Sequence, residues 1–364
     1  VPSYKATITG AGVVCPSGHT FYDLSRSVVG ETSHVDWVTR FEPPEDGPVV
    51  ACEVDDYDLS TVLESRKSRL DPAQSHFMAA CRYALDAAGA PQAHIDADAI
   101  GIAYGTSFGP TRSVEEYSER LAEKGARYAN PIGFTNAYIN AAPSLAAIEW
   151  SMRGPNHTVC AGWVSGMAAL EAAMLSIATG AARAMLAGGS EALSEMLYRG
   201  LAEAGYVSMA ESPEAVGSHE GLVPGEGGGA LFLEAPEEVA RRGAEGMGTL
   251  SAAVTRVATD PSAAYEWAIC EALGGTKPNL YLSPANGYAP LVAAERTALQ
   301  RLGLATALPW QVRLADTVGE LFGAAAPVAV GLALHLLQPG ESALVGALGP
   351  LHAGAALVQR GGAI

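Results

Sequence analysis

The sequence predicts an α/β fold, on three observations. Short apolar runs that close on glycine-rich turns alternate with longer alanine-rich stretches along the whole chain. Of 364 residues, 49% are hydrophobic and 17% charged, which supplies a sizeable core and excludes intrinsic disorder. Two strand–turn segments, His157 to Gly166 and Trp310 to Gly319, each lead into a helix that is apolar all round. That repetition in the two halves points to an internal duplication.

In chain order, Lys5 to Val14 (KATITGAGVV) reads as a strand closing on Gly10 and Gly12. Ser75 to Gly89 reads as an amphipathic helix with a glycine stop. Ala99 to Tyr104 is a second strand, running into the loop Gly105 to Pro110. Ala182 to Leu186 is a third, followed by a turn at Ala187 to Ala192. The glycines of that turn, Gly188 and Gly189, and those at Gly225 and Gly227 are read as tight turns and close backbone packing, not phosphate cradles. Val164 to Ala178 and Leu321 to Leu337 lie near the lower length limit of a membrane span. Both lean on alanine and glycine, and the second contains Pro327 and His335, so buried core helices are expected.

Composition narrows the function. With 39 acidic residues against 22 basic ones, the formal net charge is -17, and such a surface repels nucleic acid. Five cysteines, at 15, 52, 81, 160 and 270, lack C-x-x-C spacing and suggest neither a disulfide framework nor a zinc site. No Walker A pattern or clustered ligand set is present, so no metal or nucleotide cofactor is expected. The opening stretch VPSYKATITGAG lacks the apolar core of a secretory signal, and a cytoplasmic location is expected.

Arg153 to Gly166 read RGPNHTVCAGWVSG, followed by the helix MAALEAAMLSIATGAA and then AMLAGGSEA. This resembles the nucleophile region of the β-ketoacyl synthases, members of the thiolase-like superfamily. In that family a strand leads to an elbow that holds a cysteine at the start of a buried helix, where free N–H groups and the helix dipole favour thiolate. The resemblance extends to ITGAGVVCPSG at Ile8 to Gly18, Ser68 to Gly89, and IGIAYGTSFG at Ile100 to Gly109. It continues through EGLVPGEGGGALFLE at Glu220 to Glu234, PANGYAPLVAAE at Pro284 to Glu295, and GELFGAAAP at Gly319 to Pro327. It implies two duplicated α/β halves, residues 1–236 and 237–364, in a five-layered αβαβα body.

At the family's chemical positions this chain departs from the pattern. An active ketosynthase needs a cysteine to take an acyl chain as thioester, and two histidines for decarboxylation and enolate stabilisation. Counted from Gly154 without a gap, Trp163 stands at the nucleophile position, and indole offers no acylable heteroatom. Asn286 replaces the first histidine. In the family's K-x-x-x-G-H motif, Ala315 replaces the lysine and Glu320 the second histidine. Gly349 to Gly354 replaces the glycine-rich gate loop and lacks its phenylalanine. Cys160, three residues before Trp163, reads as a small core residue on the strand, and His157 as a structural histidine. Glu320 is open to two readings, a desolvated general base or a paired carboxylate.

Fold-defining glycines kept and catalytic residues lost together resemble the chain-length factors, the ketosynthase β subunits of bacterial type II polyketide synthases. Most of these hold glutamine where this chain has Trp163. The trimmed loops between Glu237 and Tyr281 resemble the compact factors of polyene-type, reducing pathways. The resemblance implies a heterodimer with an active ketosynthase, whose tunnel for the growing polyketide is completed by this subunit. Tunnel candidates are Val114, Tyr117 and Leu121, at helical spacing, with Phe134 and Tyr138; ordinary core contacts explain the spacing equally well. Trp163 would fill the vacated pocket. Acyl carrier proteins are typically acidic too, so their docking is expected mainly on the partner. Two other readings stand beside this one. In the first the chain is a stand-alone thiolase-like acyl transferase, decarboxylase or hydrolase using Glu320 or Cys160. In the second it is a structural subunit with no effect on product length.

Overall fold

The structure, a computed structural model, describes residues 5–44, 47–55, 57–63, 65, 70–128, 130–218 and 220–361. Ser68 and Arg69, which open one of the family-like stretches, lie outside the described residues. The chain begins with β1 (Ala6–Val14) and α1 (Phe21–Val29), then a small antiparallel pair, β2 (Asp36–Trp37) and β3 (Val50–Ala51). Next come α2 (Pro72–Ala87), β4 (Ile100–Gly105), α3 (Thr111–Lys124), α4 (Pro131–Asn136) and α5 (Ala141–Glu149). β5 (Asn156–Val159), α6 (Ser165–Ala178), β6 (Ala184–Glu191), α7 (Glu195–Glu203) and β7 (Gly227–Glu234) follow. The chain continues with α8 (Pro236–Arg242), β8 (Gly248–Val257), α9 (Pro261–Leu273), β9 (Leu280–Ser283) and α10 (Ala289–Arg301). It ends with β10 (Gln311–Arg313), α11 (Ala315–Val318), α12 (Ala325–Leu336), β11 (Ser342–Leu348) and β12 (His352–Arg360).

Sheet topology carries the duplication. Five strands run in the order β1–β7–β6–β4–β5, and five more in the order β8–β12–β11–β9–β10. Numbered along the chain, both sets read first, fifth, fourth, second, third. Directions repeat as well. β1/β7, β7/β6, β8/β12 and β12/β11 pair antiparallel, while β6/β4, β4/β5, β11/β9 and β9/β10 pair parallel. The sets join where Ala6, Thr7 and Ile8 pair with Leu250, Thr249 and Gly248.

The two apolar helices occupy equivalent places, α6 before β6 and α12 before β11, and both contact strands of the two sets. Their small residues let the sheets close on them from both sides, around Met167, Leu170, Val328 and Leu332. α2 and α5 cover the outer face of the first set, and α9 and α10 that of the second, which gives the five layers. No helix among the described residues is long and apolar enough to cross a membrane.

Two local expectations are corrected. α2 begins at Pro72, not Ser75, because Asp71 caps it: its carboxylate accepts the Ala73 N–H at 2.9 Å while Gln74 Oε1 accepts the Asp71 N–H at 3.2 Å. The helix is also buried on most sides, since β1, β6, β7 and α5 pack around it. Gly188 and Gly189 do not form a turn; β6 runs through them to Glu191. Gly227 opens β7 at φ 153°, a conformation that favours glycine, and Gly225 bridges to Cys52, so neither forms a turn. Close backbone approach accounts for the glycines. A Cβ on Gly189 would lie 2.3 Å from the Gly323 carbonyl and 2.5 Å from that of Gly105.

Gly189→Ala should therefore cost about 1–3 kcal/mol or more in urea unfolding, as overpacking does. Gly200→Ala, on α7 with nothing within 4 Å of the added carbon, should be neutral or stabilising. Equal effects of the two substitutions would contradict the close approach.

Candidate functional site

The site forms where the first turns of α6 and the segment ahead of α12 meet. After β5 the chain turns through Gly162, whose φ of 60° is left-handed. Ser165 braces that elbow: its Oγ accepts the Ala161 N–H at 2.9 Å and donates to the Gly162 carbonyl at 2.5 Å. Trp163 is thereby set two residues ahead of α6, half-buried. Its ring meets Tyr206 at 5.2 Å, Phe322 at 5.5 Å and Tyr288 at 6.5 Å, all edge-on. Tyr206 and Tyr288 meet at 4.9 Å, and Phe108 closes on Phe322 at 5.0 Å. Edge-to-face pairs at such distances each contribute roughly 0.5–1.5 kcal/mol beyond their buried area.

Asn286 and Glu320 come from different loops and bond to each other. Asn286 Nδ2 donates to Glu320 Oε2 at 2.7 Å, and the other carboxylate oxygen accepts the Phe322 N–H at 2.6 Å. Asn286 Oδ1 accepts the Tyr288 N–H at 3.1 Å. Both side chains are buried. Burial pushes the Glu320 carboxyl up, and the hydrogen bonds from Asn286 and Phe322 oppose that shift. The main chain of Glu320 is pinned too, donating to the Val223 carbonyl at 2.8 Å and accepting the Gly225 N–H at 2.9 Å. A cavity of about 40 Å³ remains among Trp163, Pro284, Ala315, Glu320, Leu321 and Leu348. That volume suits a water molecule. Gly349 lies against Trp163, with an added Cβ 3.4 Å from the tryptophan's own Cβ.

Residues 5–238 match the family model described as Beta-ketoacyl synthase, N-terminal domain. The chain belongs to the β-ketoacyl synthase family. Among curated relatives it is 28% identical to a 3-oxoacyl-[acyl-carrier-protein] synthase 2 of Synechocystis sp. over 254 residues, covering 68% of this chain and 61% of that protein. It is 29% identical to the protein of the same name from Coxiella burnetii over 248 residues, 66% of this chain and 60% of that one. The chain thus spans about three fifths of the length of these relatives. The fold is that of the ishigamide ketosynthase/chain length factor, with a TM-score of 0.86 at 20% identity over 99% of this chain and 100% of that one. A type II PKS acyl-carrier protein in complex with its ketosynthase bound to the hexaketide gives 0.80 at 18% identity, covering 98% and 99%.

Of the residues expected at chemical positions, the fold gathers Trp163, Ala315 and Glu320 around one cavity and binds Asn286 to Glu320. Cys160 is corrected. It is exposed one residue past β5, not a core residue on the strand. Desolvation and the nearby charge of Glu191 raise its thiol pKa, which disfavours thiolate. His157 ties β5 to α6 through Ser176 Oγ at 3.1 Å.

The tunnel candidates are not core contacts. Val114 and Tyr117 are half-buried, while Leu121, Phe134 and Tyr138 are exposed on the outside of the chain. Tyr117 meets Phe134 at 5.5 Å, and Phe134 meets Tyr138 at 4.8 Å. Of the five, Tyr117 lines an open groove of about 590 Å³, beside Asp71, Arg112, Arg120, Asn130 and Asn136. Val114 and Leu121 lie off that groove, because the face of α3 turned towards it is the polar one, carrying Arg112, Ser113, Glu116 and Arg120.

Sequence reasoning missed five residues in and around this site. Phe108, Tyr288 and Phe322 lie inside family-like motifs, where an aromatic among small residues was the available signal. Tyr206 lies in none. Glu191 sits in the AGGSEA segment, which drew notice for its glycines only. It is 1% exposed, and its carboxylate accepts the Thr106 hydroxyl at 3.1 Å, the Phe108 N–H at 3.4 Å and the Ser107 N–H. It thereby holds the loop that presents Phe108.

Burial pushes the Glu191 carboxyl up to about 8, against those hydrogen bonds. In the unfolded chain the proton leaves near the ordinary value of 4.5. Stability from this group is therefore fully present below that pH and is lost as pH rises through about 8. Glu191→Gln removes the titration. Relative to the parent, the variant should gain stability from about pH 5 to about pH 8 in urea titrations and gain no more above. A difference independent of pH would refute this.

Proposed function

We propose that this chain is a catalytically inactive ketosynthase-like subunit, a chain-length factor, which pairs with an active ketosynthase and shapes the tunnel in which an acyl chain grows. The observation that carries this reading is the filled site. At the nucleophile position stands an indole packed against Tyr206, Tyr288 and Phe322, with Phe108 behind Phe322. The residues at the two histidine positions are engaged in a hydrogen bond to each other. Such a site has neither a thiol to acylate nor imidazoles to stabilise an enolate oxygen.

Two surface features support pairing. Among the described residues β5 is the end strand of its set and pairs with β4 alone, which offers its other edge as a template for a second chain. Near it in sequence, α3, α4 and the segments after them expose Leu121, Tyr128, Phe134, Tyr138 and Ile139, a composition typical of interfaces. A formal net charge of -17 opposes the pairing of two copies and favours a less acidic partner. The same charge puts carrier-protein docking mainly on that partner.

In this reading the tunnel of the partner ends at bulk from α3 and α4, and further extension costs steric overlap with a close-packed wall. Tyr117, braced by Phe134, is the first candidate for that bulk. The short connections in the second half, 237–364 in this reading, go with factors of polyene-type, reducing systems. The likeness in fold to the ishigamide ketosynthase/chain length factor supports the pairing, at 20% identity.

Co-expression with a ketosynthase that keeps its cysteine and both histidines should give a stable one-to-one complex on gel filtration, and homodimers alone would count against it. Within that complex Tyr117→Ala should lengthen the products; an unchanged distribution with the complex intact removes Tyr117 from the gate. Trp163→Cys alone should restore no condensation, since Asn286 and Glu320 still lack imidazole chemistry. Sustained turnover by that variant would overturn the inactive reading.

A further inference from the structure

Phe322 has a left-handed backbone, φ 46°, although it is bulky and 1% exposed. A phenylalanine does not hold that conformation without an interaction that favours it. Glu320 supplies one. Its Oε1 accepts the Phe322 N–H at 2.6 Å across the turn, and its Oε2 accepts from Asn286 Nδ2 at 2.7 Å. Asn286 then uses Oδ1 to accept the Tyr288 N–H at 3.1 Å. The three bonds form one chain, and each end fixes the backbone of an aromatic residue that faces Trp163.

We infer that Glu320 is a positioning residue: through Asn286 on one side and directly on the other, it sets Tyr288 and Phe322 so that both rings close over Trp163. One N–H donor engages each oxygen of the carboxylate, so both are held in the bonds that order the two aromatic loops. This concerns the chain alone and stands whether or not it sets the length of a partner's product.

The donor and acceptor pattern makes the inference testable by exchange. Both carboxylate oxygens must accept, and Asn286 must donate at one atom and accept at the other. Glu320→Gln keeps the shape but sets an amide NH₂ against Asn286 Nδ2, or against the Phe322 N–H if it turns. Asn286→Asp sets two carboxylates face to face. The double variant, Glu320→Gln with Asn286→Asp, restores the chain with its middle bond reversed. The new amide donates to the new carboxylate and still accepts the Phe322 N–H, while that carboxylate still accepts the Tyr288 N–H.

The measurement is the emission of Trp163, taken as the difference between each variant with and without Trp163→Phe, together with its quenching by acrylamide. Each single exchange should shift that emission to the red and raise its quenching, and the double exchange should return both towards the parent. Unchanged Trp163 protection in Glu320→Gln, or a double variant as exposed as the singles, would overturn the inference. Where a single variant fails to fold, a folded and protected double variant supports it, and an unfolded double variant overturns it.

Discussion

The carbonyl of Gly323 lies where side-chain carbons would stand if Gly166 or Gly189 were alanine, 2.2 Å and 2.3 Å from the positions those carbons would take. Gly105 makes a similar approach to the Ser165 carbonyl, at 2.3 Å. Four backbone segments, from β4, β6, the start of α6 and the segment before α12, therefore meet without side chains between them. That approach brings Phe108, Trp163 and Phe322 within ring contact, and it brings Glu191 beneath the Phe108 loop. A methyl group at the junction would part the two halves where the aromatic cluster assembles.

Buried carboxylates elsewhere in the chain follow one rule. Glu226 accepts the Val54 and Leu193 N–H groups and pairs with Arg40, while Glu234 pairs with Arg242. Glu295 accepts the Tyr281 and Ser283 hydroxyls at 2.6 and 2.5 Å. Each fastens separate segments of the chain, and each is met by donors, as a buried charge requires. Glu320 and Glu191 belong with these by geometry: donors engage them, and each orders a loop that carries a phenylalanine.

Much of this was legible in the residues. The apolar runs at β1, β4 and the start of β6 read as strands, and the uniformly apolar stretches read as buried helices, because burial on all sides leaves no polar face to show. The glycine pair at 188–189 misled, since glycine is common in turns and the reason for it here, another chain segment's carbonyl, is invisible locally. Periodicity put Val114, Tyr117 and Leu121 on a shared stripe of α3, yet periodicity does not say what covers a stripe. In this chain α4 covers part of it, and the groove beside it is lined by the polar residues between.

Residue type at a family position is a property of the sequence alone: an indole cannot be acylated wherever it sits, and asparagine and glutamate do not supply imidazole. The two strand–turn segments that lead into apolar helices likewise pointed to repeated halves. The tertiary structure decided what these residues do. Asn286 and Glu320 are 34 residues apart and share a hydrogen bond, and the aromatic cluster draws on five separate segments. Hydrogen bonds and ring contacts depend on distance in space, which spacing along a chain does not encode; only the closure of the two halves upon each other set it.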